Sequence, residues 1–213
     1  MSIAFLGDSI TFGWGLDDKS KKYSTLVCQR LNMEEENYGI TGTLLAKAGL
    51  NNEDEKDFVS RSYLIDNADI AVIFGGTNDY FWSDKVIEGN DDSYFAHALK
   101  TIINRIKEKR AGKITLFVTP YPHNGIGNYE GGEYWKASNR HDTDSKNFNG
   151  HVLKDYSDAI VKACEENGIE YLNLHKDFEF DWRKHTMDGC HPNEEGHILL
   201  ANAVAKKIKS LIK

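Results

Sequence analysis

The sequence lacks the features of secreted and membrane-spanning proteins. It has only three cysteines, Cys28, Cys164 and Cys190, whose odd number and wide spacing form neither a disulfide framework nor a C-x-x-C pair. It contains no N-x-[ST] sequon and no run approaching the roughly 20 apolar residues of a membrane span. No basic segment with a long apolar region precedes the first predicted strand, so no signal peptide is expected. These absences predict a reducing, cytoplasmic location.

An excess of positive charge is also missing. The chain has 26 Lys and Arg against 33 Asp and Glu, a formal net charge of -7. Tight nucleic-acid binding and polybasic membrane anchoring both need clustered cations, so we expect neither nucleic-acid partners nor stable membrane association. The length of 213 residues, with 40% hydrophobic and 28% charged residues, predicts one globular domain over 1–213.

Short apolar runs alternate with amphipathic stretches, which is the pattern of βα units around a parallel sheet. Two of the runs, "IAVIF" and "ITLFV", are unbroken, as expected for strands covered on both faces. The predicted strands are Ile3–Leu6, Asn37–Tyr38, Ile70–Phe74, Ile114–Thr119 and Tyr171–Leu174. The expected fold is an α/β three-layer α/β/α sandwich, flavodoxin-like, with a five-stranded parallel sheet whose ligands bind at the carboxyl ends of the strands.

One segment, at about 121–150, has no clear periodicity and is rich in glycine, asparagine and aromatic residues. Loops this long are uncommon in compact domains and often cover a binding site, so the segment is interpreted as a lid-like loop. Its aromatic residues include Tyr129, Tyr134 and Trp135.

The first predicted strand ends at Gly7-Asp8-Ser9. Asp8 or Ser9 could simply cap a helix, or Ser9 could be a nucleophile presented at a strand end. A serine nucleophile needs a base, and the best base is a histidine oriented by a carboxylate. Near the C-terminus, "MDGCHPNEEGH" places Asp188 three residues before His191, so one turn can hold the carboxylate against the imidazole.

Two further segments offer hydrogen-bond donors for an oxyanion. "NYGITG" follows the second strand, and either Gly39 or Gly42 could present a backbone N–H there. "FGGTND" follows the third strand and places the Asn78 amide at the same edge. The residues alone do not choose between the two glycines.

Taken in order, Gly7-Asp8-Ser9, Gly42, Asn78 and Asp188/His191 resemble the four blocks of the SGNH, or GDSL-like, hydrolase superfamily. Ile10 stands where the family commonly has leucine. The resemblance implies a Ser-His-Asp ester hydrolase that needs no metal or cofactor. By it Ser9 is the nucleophile, His191 the general base and then acid, and Asp188 the residue that orients His191. The Ser9 N–H, Gly42 and Asn78 would form the oxyanion hole.

Aromatic side chains cluster around the predicted site, and an amphipathic ring suits a sugar or a small acyl group better than a long acyl chain. The candidate substrate-binding residues are Trp14, Tyr80, Trp82, Tyr121 and His123. We therefore expect hydrolysis of short-chain acyl esters such as acetyl esters, on a small molecule or an acylated carbohydrate. A lysophospholipase or thioesterase-like acyl hydrolase is the alternative, and the aromatic residues could instead only pack the lid.

Two hypotheses from other classes stay open at this point. Asp8, Asp79, Asp188 and His191 could serve a metal-dependent hydrolase, although Asp8 and Asp79 are expected to brace loop backbones. His197 is spaced so that it cannot share a helical face, and hence a metal, with His191. A catalytically silent carbohydrate-binding module would keep the fold and bind ligand without turnover. The oligomeric state is not predicted.

Overall fold

The computed structural model describes residues 1–48, 56–123 and 145–212. Five strands form a single sheet, and each pair of neighbouring strands is parallel. The strands are β1 (Ser2–Gly7), β2 (Glu34–Gly39), β3 (Ile70–Phe74), β4 (Ile114–Val118) and β5 (Glu170–Leu172). Their spatial order, β2-β1-β3-β4-β5, is the flavodoxin-like order, so the predicted fold class is confirmed.

Nine α-helices and two short 3₁₀ turns, at Lys19–Lys21 and Ser62–Ile65, connect the strands in the described part of the chain. The helices are α1 (Ser9–Phe12), α2 (Tyr23–Leu31), α3 (Phe58–Arg61), α4 (Thr77–Trp82), α5 (Phe95–Lys109), α6 (Leu153–Asn167), α7 (Leu174–Asp177), α8 (Trp182–His185) and α9 (Glu194–Leu211). The Asn193 side chain caps α9 by accepting a hydrogen bond from the Gly196 N–H, as its sequence position predicts.

The sheet separates two apolar cores because successive side chains of a strand point to opposite faces. In β3, Ala71 and Ile73 face one core, and Ile70, Val72 and Phe74 face the other. Helices α5 and α6 cover the first face, and α2 and α9 cover the second. The layers hold the sheet rigid, so that its carboxyl edge can fix the loops that follow the strands.

The strand boundaries differ most from the sequence prediction at β2 and β5, and by one residue at either end of β1 and at the end of β4. Strand β2 begins at Glu34, three residues before the predicted start, in a run of three glutamates that does not look like a strand. It lies at the sheet edge, and the Glu35 carboxylate accepts hydrogen bonds from the Ser24 and Thr25 hydroxyls of α2. At the other edge, β5 ends at Leu172, because Leu174 already begins α7.

The predicted lid-like loop falls mostly on residues 124–144, which lie outside the described residues, as do Tyr129, Tyr134 and Trp135. Within the described ranges, none of the helices is both long and apolar enough to cross a membrane.

Candidate active site

Ser9 sits at the turn between β1 and α1. The Asp8 side chain caps α1 by accepting a hydrogen bond from the Ile10 N–H at 3.0 Å. Capping is therefore the task of Asp8, which leaves the Ser9 hydroxyl available for another partner. Both side chains are buried at the carboxyl end of β1.

That partner is His191, in the loop before α9. The His191 Nε2 lies 3.0 Å from the Ser9 Oγ, and its Nδ1 lies 2.6 Å from the Asp188 Oδ2. The three side chains thus form one hydrogen-bonded chain from hydroxyl to imidazole to carboxylate. Each is buried, with relative exposures of 5% for Ser9, 7% for His191 and 5% for Asp188.

The turn from Asp188 to His191 is tightly tied. The Asp188 Oδ1 accepts the backbone N–H groups of Cys190 and His191, at 3.0 and 2.7 Å. Burial opposes ionisation of Asp188. The hydrogen bond and charge of His191 and the two backbone N–H groups favour the ionised carboxylate more than burial opposes it. Together they lower the pKa of Asp188 below its ordinary value. An ionised Asp188 holds a proton on His191 Nδ1, so that Nε2 faces Ser9 as an acceptor.

The two candidate oxyanion glycines differ in their surroundings. The Gly39 N–H donates to the Asn37 Oδ1, and an added Cβ at Gly39 would lie 2.3 Å from the Phe12 nitrogen. Gly39 is therefore used for close packing against α1. The Gly42 N–H has no acceptor among the described residues, and neither has the Ser9 N–H. Gly42 has a φ of +78°, which a glycine adopts without strain.

Asn78, near the start of α4, is buried beside the Ser9 turn. Its Nδ2 donates to the Thr43 carbonyl at 3.0 Å and lies 3.5 Å from the Asp8 Oδ2. The first contact is a good hydrogen bond and the second is at the outer limit of one. One of the two Asn78 N–H donors is therefore only weakly engaged and can turn to a substrate oxygen.

Two buried carboxylates support these loops. The Asp79 side chain accepts the backbone N–H groups of Leu45 and Ala46, at 2.8 and 3.0 Å. Burial raises the pKa of Asp79 to about 7 and that of Asp8 to about 6, and hydrogen bonds only partly offset it. Asp8 and Asp79 both bind loop backbone, as expected.

Of the candidate substrate-binding residues, Trp14 lies nearest the triad. Its ring centroid is 4.3 Å from that of His191, and 37% of the side chain is exposed. Phe12 and Met187 are also exposed, and Met187 lies against Gly15, the residue after Trp14. Trp82 is partly buried and packs against the core that α5 and α6 cover.

Three other candidates are buried, and their sequence positions did not reveal it. Tyr80 is 1% exposed in the core, and its hydroxyl donates to the Ser145 carbonyl at 2.7 Å. Tyr121 is also 1% exposed, and its hydroxyl donates to the Cys190 carbonyl at 2.6 Å. His123, 2% exposed, lies beside Cys190, and burial lowers its pKa to about 3. These side chains brace the His191 loop and the core instead of lining an open surface.

No group of three or more His, Cys, Asp or Glu side chains is arranged to hold a metal ion in the parts of the chain that the structure describes. His197 is fully buried in α9, where its Nδ1 accepts the Tyr23 N–H. It therefore does not lie with His191 at a shared site.

The sequence did not point to three residues near the site: Thr43, whose carbonyl accepts a hydrogen bond from Asn78, Met187, and Arg61, which donates to Gly7 and Thr43. Thr43 and Met187 flank predicted residues, Gly42 and Asp188, and could have been found by proximity. Arg61 stands in "DFVSRSYL", which looks like any surface helix, and carries no local signal of its burial.

A parallel α/β sheet with a serine, histidine and aspartate hydrogen-bonded at its carboxyl edge is typical of serine-dependent acyl hydrolases. The sequence matches the GDSL-like lipase/acylhydrolase family over residues 5–199, and the chain belongs to that family. By family it is accordingly an esterase or acylhydrolase. No curated protein sequence matches the chain.

Several solved structures share the fold over nearly the whole of both chains. A protein from Lactobacillus plantarum is 25% identical with a TM-score of 0.79, covering 100% of this chain and 98% of its own. A carbohydrate acetylesterase from Sinorhizobium meliloti is 17% identical with a TM-score of 0.73, covering 99% of each. A possible lipase from Chitinophaga pinensis is 18% identical with a TM-score of 0.73, covering 99% and 98%.

Proposed function

We propose that the chain hydrolyses esters of short acyl groups, acetyl above all, through a covalent acyl-enzyme on Ser9. The observation that carries the proposal is the unbroken hydrogen-bonded chain from Ser9 through His191 to Asp188. A serine hydroxyl is a weak nucleophile unless an adjacent base takes its proton, and this chain supplies that base.

The reaction has two halves. The Ser9 Oγ attacks the ester carbonyl as His191 Nε2 takes its proton, and the developing oxyanion accepts hydrogen bonds from the Ser9 and Gly42 N–H groups and Asn78 Nδ2. His191 then protonates the leaving alcohol, which departs as the acyl-enzyme forms. Water, deprotonated by His191, releases the acid and restores Ser9.

The acyl group is proposed to enter a small cavity beside Gly42, whose described lining holds none of Ser9, Asp188 and His191. The cavity, of about 160 Å³, is smaller than the ~300–1,000 Å³ of typical small-molecule sites. Its described lining residues are Thr41, Gly42, Thr43, Leu44, Ala48, Lys56 and Asp57. This mixed polar lining suits an acetyl group better than a long alkyl chain.

The alcohol part is proposed to be a carbohydrate, bound on the rim formed by Phe12, Trp14 and Met187. A half-exposed aromatic ring next to the catalytic histidine offers a flat apolar face to a sugar ring. The fold shared with a carbohydrate acetylesterase agrees with this choice. The cytoplasmic location and the single domain over 1–213 stay predictions.

The test is hydrolysis of p-nitrophenyl acetate, butyrate and octanoate, and of an acetylated xylo-oligosaccharide, by wild type and Ser9→Ala. Ser210→Ala, at an exposed serine of α9, is the matched control. We expect chelator-resistant turnover that is highest on acetate, survives in the control and is lost in Ser9→Ala by about 10⁶-fold.

Three other outcomes would each support a different function. Highest turnover on octanoate would favour a lysophospholipase or thioesterase-like enzyme. Loss of turnover with chelator would favour the metal-dependent hydrolase. Binding of the oligosaccharide with no turnover of any ester would favour a silent carbohydrate-binding module.

A further inference from the structure

Arg61, the last residue of α3, is a buried cation below the candidate active site. It is only 6% exposed, and all its polar contacts are directed at the ends of strands and at loops. Nη1 donates to the Tyr38 carbonyl at 2.6 Å, and Nη2 donates to the Gly7 carbonyl at 3.3 Å and the Thr43 hydroxyl at 3.0 Å. Nε donates to the Lys56 carbonyl at 2.5 Å.

Two of these acceptors, the Gly7 carbonyl and the Thr43 hydroxyl, belong to the segments that carry the proposed oxyanion donors. Gly7 ends β1, two residues before Ser9, and Thr43 directly follows Gly42. A single guanidinium group therefore fastens the nucleophile turn to the loop of Gly42.

Burying this charge is costly, and the described part of the chain places no carboxylate within 4.0 Å of it to form an ion pair. Burial lowers the pKa of Arg61 to about 10, although Asp57 and Asp8 partly counter this. The Phe58 ring lies 5.2 Å from the guanidinium carbon. Only the planar fork of arginine can donate to four acceptors spread in this way, and the ammonium of a lysine cannot.

We propose that Arg61 is a positioning residue that sets the spacing between the Ser9 and Gly42 N–H groups in the oxyanion hole. It touches no substrate and acts through the backbone it holds. The inference rests on the proposed ester hydrolysis. Because the oxyanion forms only in the transition state, misplaced donors should lower kcat and leave KM nearly unchanged.

Arg110 provides a matched control. It is also a buried arginine, 2% exposed, with its guanidinium donating to the carbonyls of Ile65, Ala68 and Ile114 and to the Thr115 hydroxyl. These groups lie at the amino ends of β3 and β4, at the opposite edge of the sheet from Ser9. Substituting Arg110 should thus lower stability about as much as substituting Arg61 does, but should have a different effect on turnover.

The experiment compares Arg61→Lys and Arg110→Lys with wild type, measuring kcat and KM on p-nitrophenyl acetate and urea unfolding for each. We expect Arg61→Lys to lower kcat per folded molecule by about 10- to 100-fold, below the ~10²–10³-fold cost of deleting an oxyanion donor. Its KM should change less than about threefold, since ground-state binding is retained. Arg110→Lys should keep kcat within about twofold while losing stability, because it touches only the far edge.

A kcat of Arg61→Lys within twofold of wild type, or an equal kcat loss in both variants, would overturn the positioning role. If Arg61→Lys does not fold, Thr43→Val decides, because at nearly constant volume it removes the Arg61 acceptor and the hydrogen bond that the Thr43 hydroxyl donates to the Ile40 carbonyl. A three- to tenfold lower kcat in Thr43→Val supports the role, on the order of one or two lost hydrogen bonds; an unchanged kcat overturns it. Absence of Ser9-dependent turnover in wild type would instead overturn the proposed function, and this inference with it.

Discussion

The His191 Nε2 lies 3.0 Å from the Ser9 Oγ, although 182 positions of sequence separate the two residues. The parallel sheet makes this contact, because the turn after β1 and the loop before α9 both lie at its carboxyl edge. The Tyr121 hydroxyl and the Asp188 carboxylate hold the loop of His191 in place.

Replacing Asp188 by asparagine should reverse the imidazole tautomer. The Asp188 Oδ1 accepts two backbone N–H groups, so an asparagine oxygen is expected to stay there and its NH₂ to face His191 Nδ1. Nδ1 would then accept, Nε2 would carry the proton, and Ser9 would lose its base. We expect kcat to fall about 10⁴-fold with little change in fold.

The measurement is steady-state hydrolysis of p-nitrophenyl acetate by Asp188→Asn, with Asp181→Asn as control. Asp181 caps α8 away from the triad, and asparagine is an equally good cap. Turnover of Asp188→Asn within tenfold of wild type would contradict the assigned tautomer.

Replacing Asn78 by alanine should reduce kcat about 10²–10³-fold if its amide donates to the oxyanion. The change also leaves the Thr43 carbonyl without its partner, so the free energy of unfolding should fall by about 1–3 kcal/mol. Kinetics on p-nitrophenyl acetate and urea unfolding measure the two effects. The control Asn104→Ala, on the exposed face of α5, should change neither kcat nor the free energy of unfolding. Full activity in Asn78→Ala would show that Asn78 is not part of the oxyanion hole.

Alanine substitutions at Gly39 and at Gly42 should affect different properties, stability in the first case and kcat in the second. Gly42 has open space around the missing Cβ, so alanine there costs only the positive φ, about 1 kcal/mol, and should act mainly on kcat. Gly39→Ala would drive a methyl group into the Phe12 backbone and should act mainly on stability. Thermal unfolding and kcat per folded molecule separate the effects, and the opposite pattern would assign the oxyanion N–H to Gly39.

Asp79 should make stability depend on pH. Since burial raises its folded pKa to about 7, the native state binds more protons than the unfolded state between about pH 4 and pH 7. Its contribution to stability is then complete at low pH and is lost as the pH rises through this range. Asparagine does not titrate, so the Asp79→Asn variant should not show this loss of stability over this pH range.

Urea unfolding of both proteins from pH 4 to pH 7.5 measures the difference. The free energy of unfolding of Asp79→Asn minus that of wild type should increase by about 3–4 kcal/mol between pH 4 and pH 7. Subtraction removes the opposing contributions of buried His123 and His197, whose pKa values burial lowers to about 3. A constant difference across the range would show that Asp79 is ionised throughout.

Much of the fold and of the candidate site was predictable from local sequence. Strands β3 and β4 are unbroken apolar runs, and a buried parallel strand needs such a run because both its faces are covered. Ser9, Gly42, Asn78 and His191 each follow a predicted strand or precede a helix, so the topology of a parallel sheet was enough to expect them at one edge. Local patterns could do this because they reflect backbone preferences that act over a few residues.

The sequence by itself therefore determined the order of the elements and the candidate triad, whereas the tertiary structure decided which side chains are buried and what they contact. Tyr80 and Tyr121 look like rim aromatics until α6 and the Cys190 loop close over them. The three glutamates of β2 become a strand only through pairing with β1 and hydrogen bonds from α2. Arg61 is buried only because β1, β2 and the Gly42 loop converge on it. Outside unbroken apolar runs such as β3 and β4, the burial of a side chain depends on segments distant in sequence, so the residues around it do not reveal it.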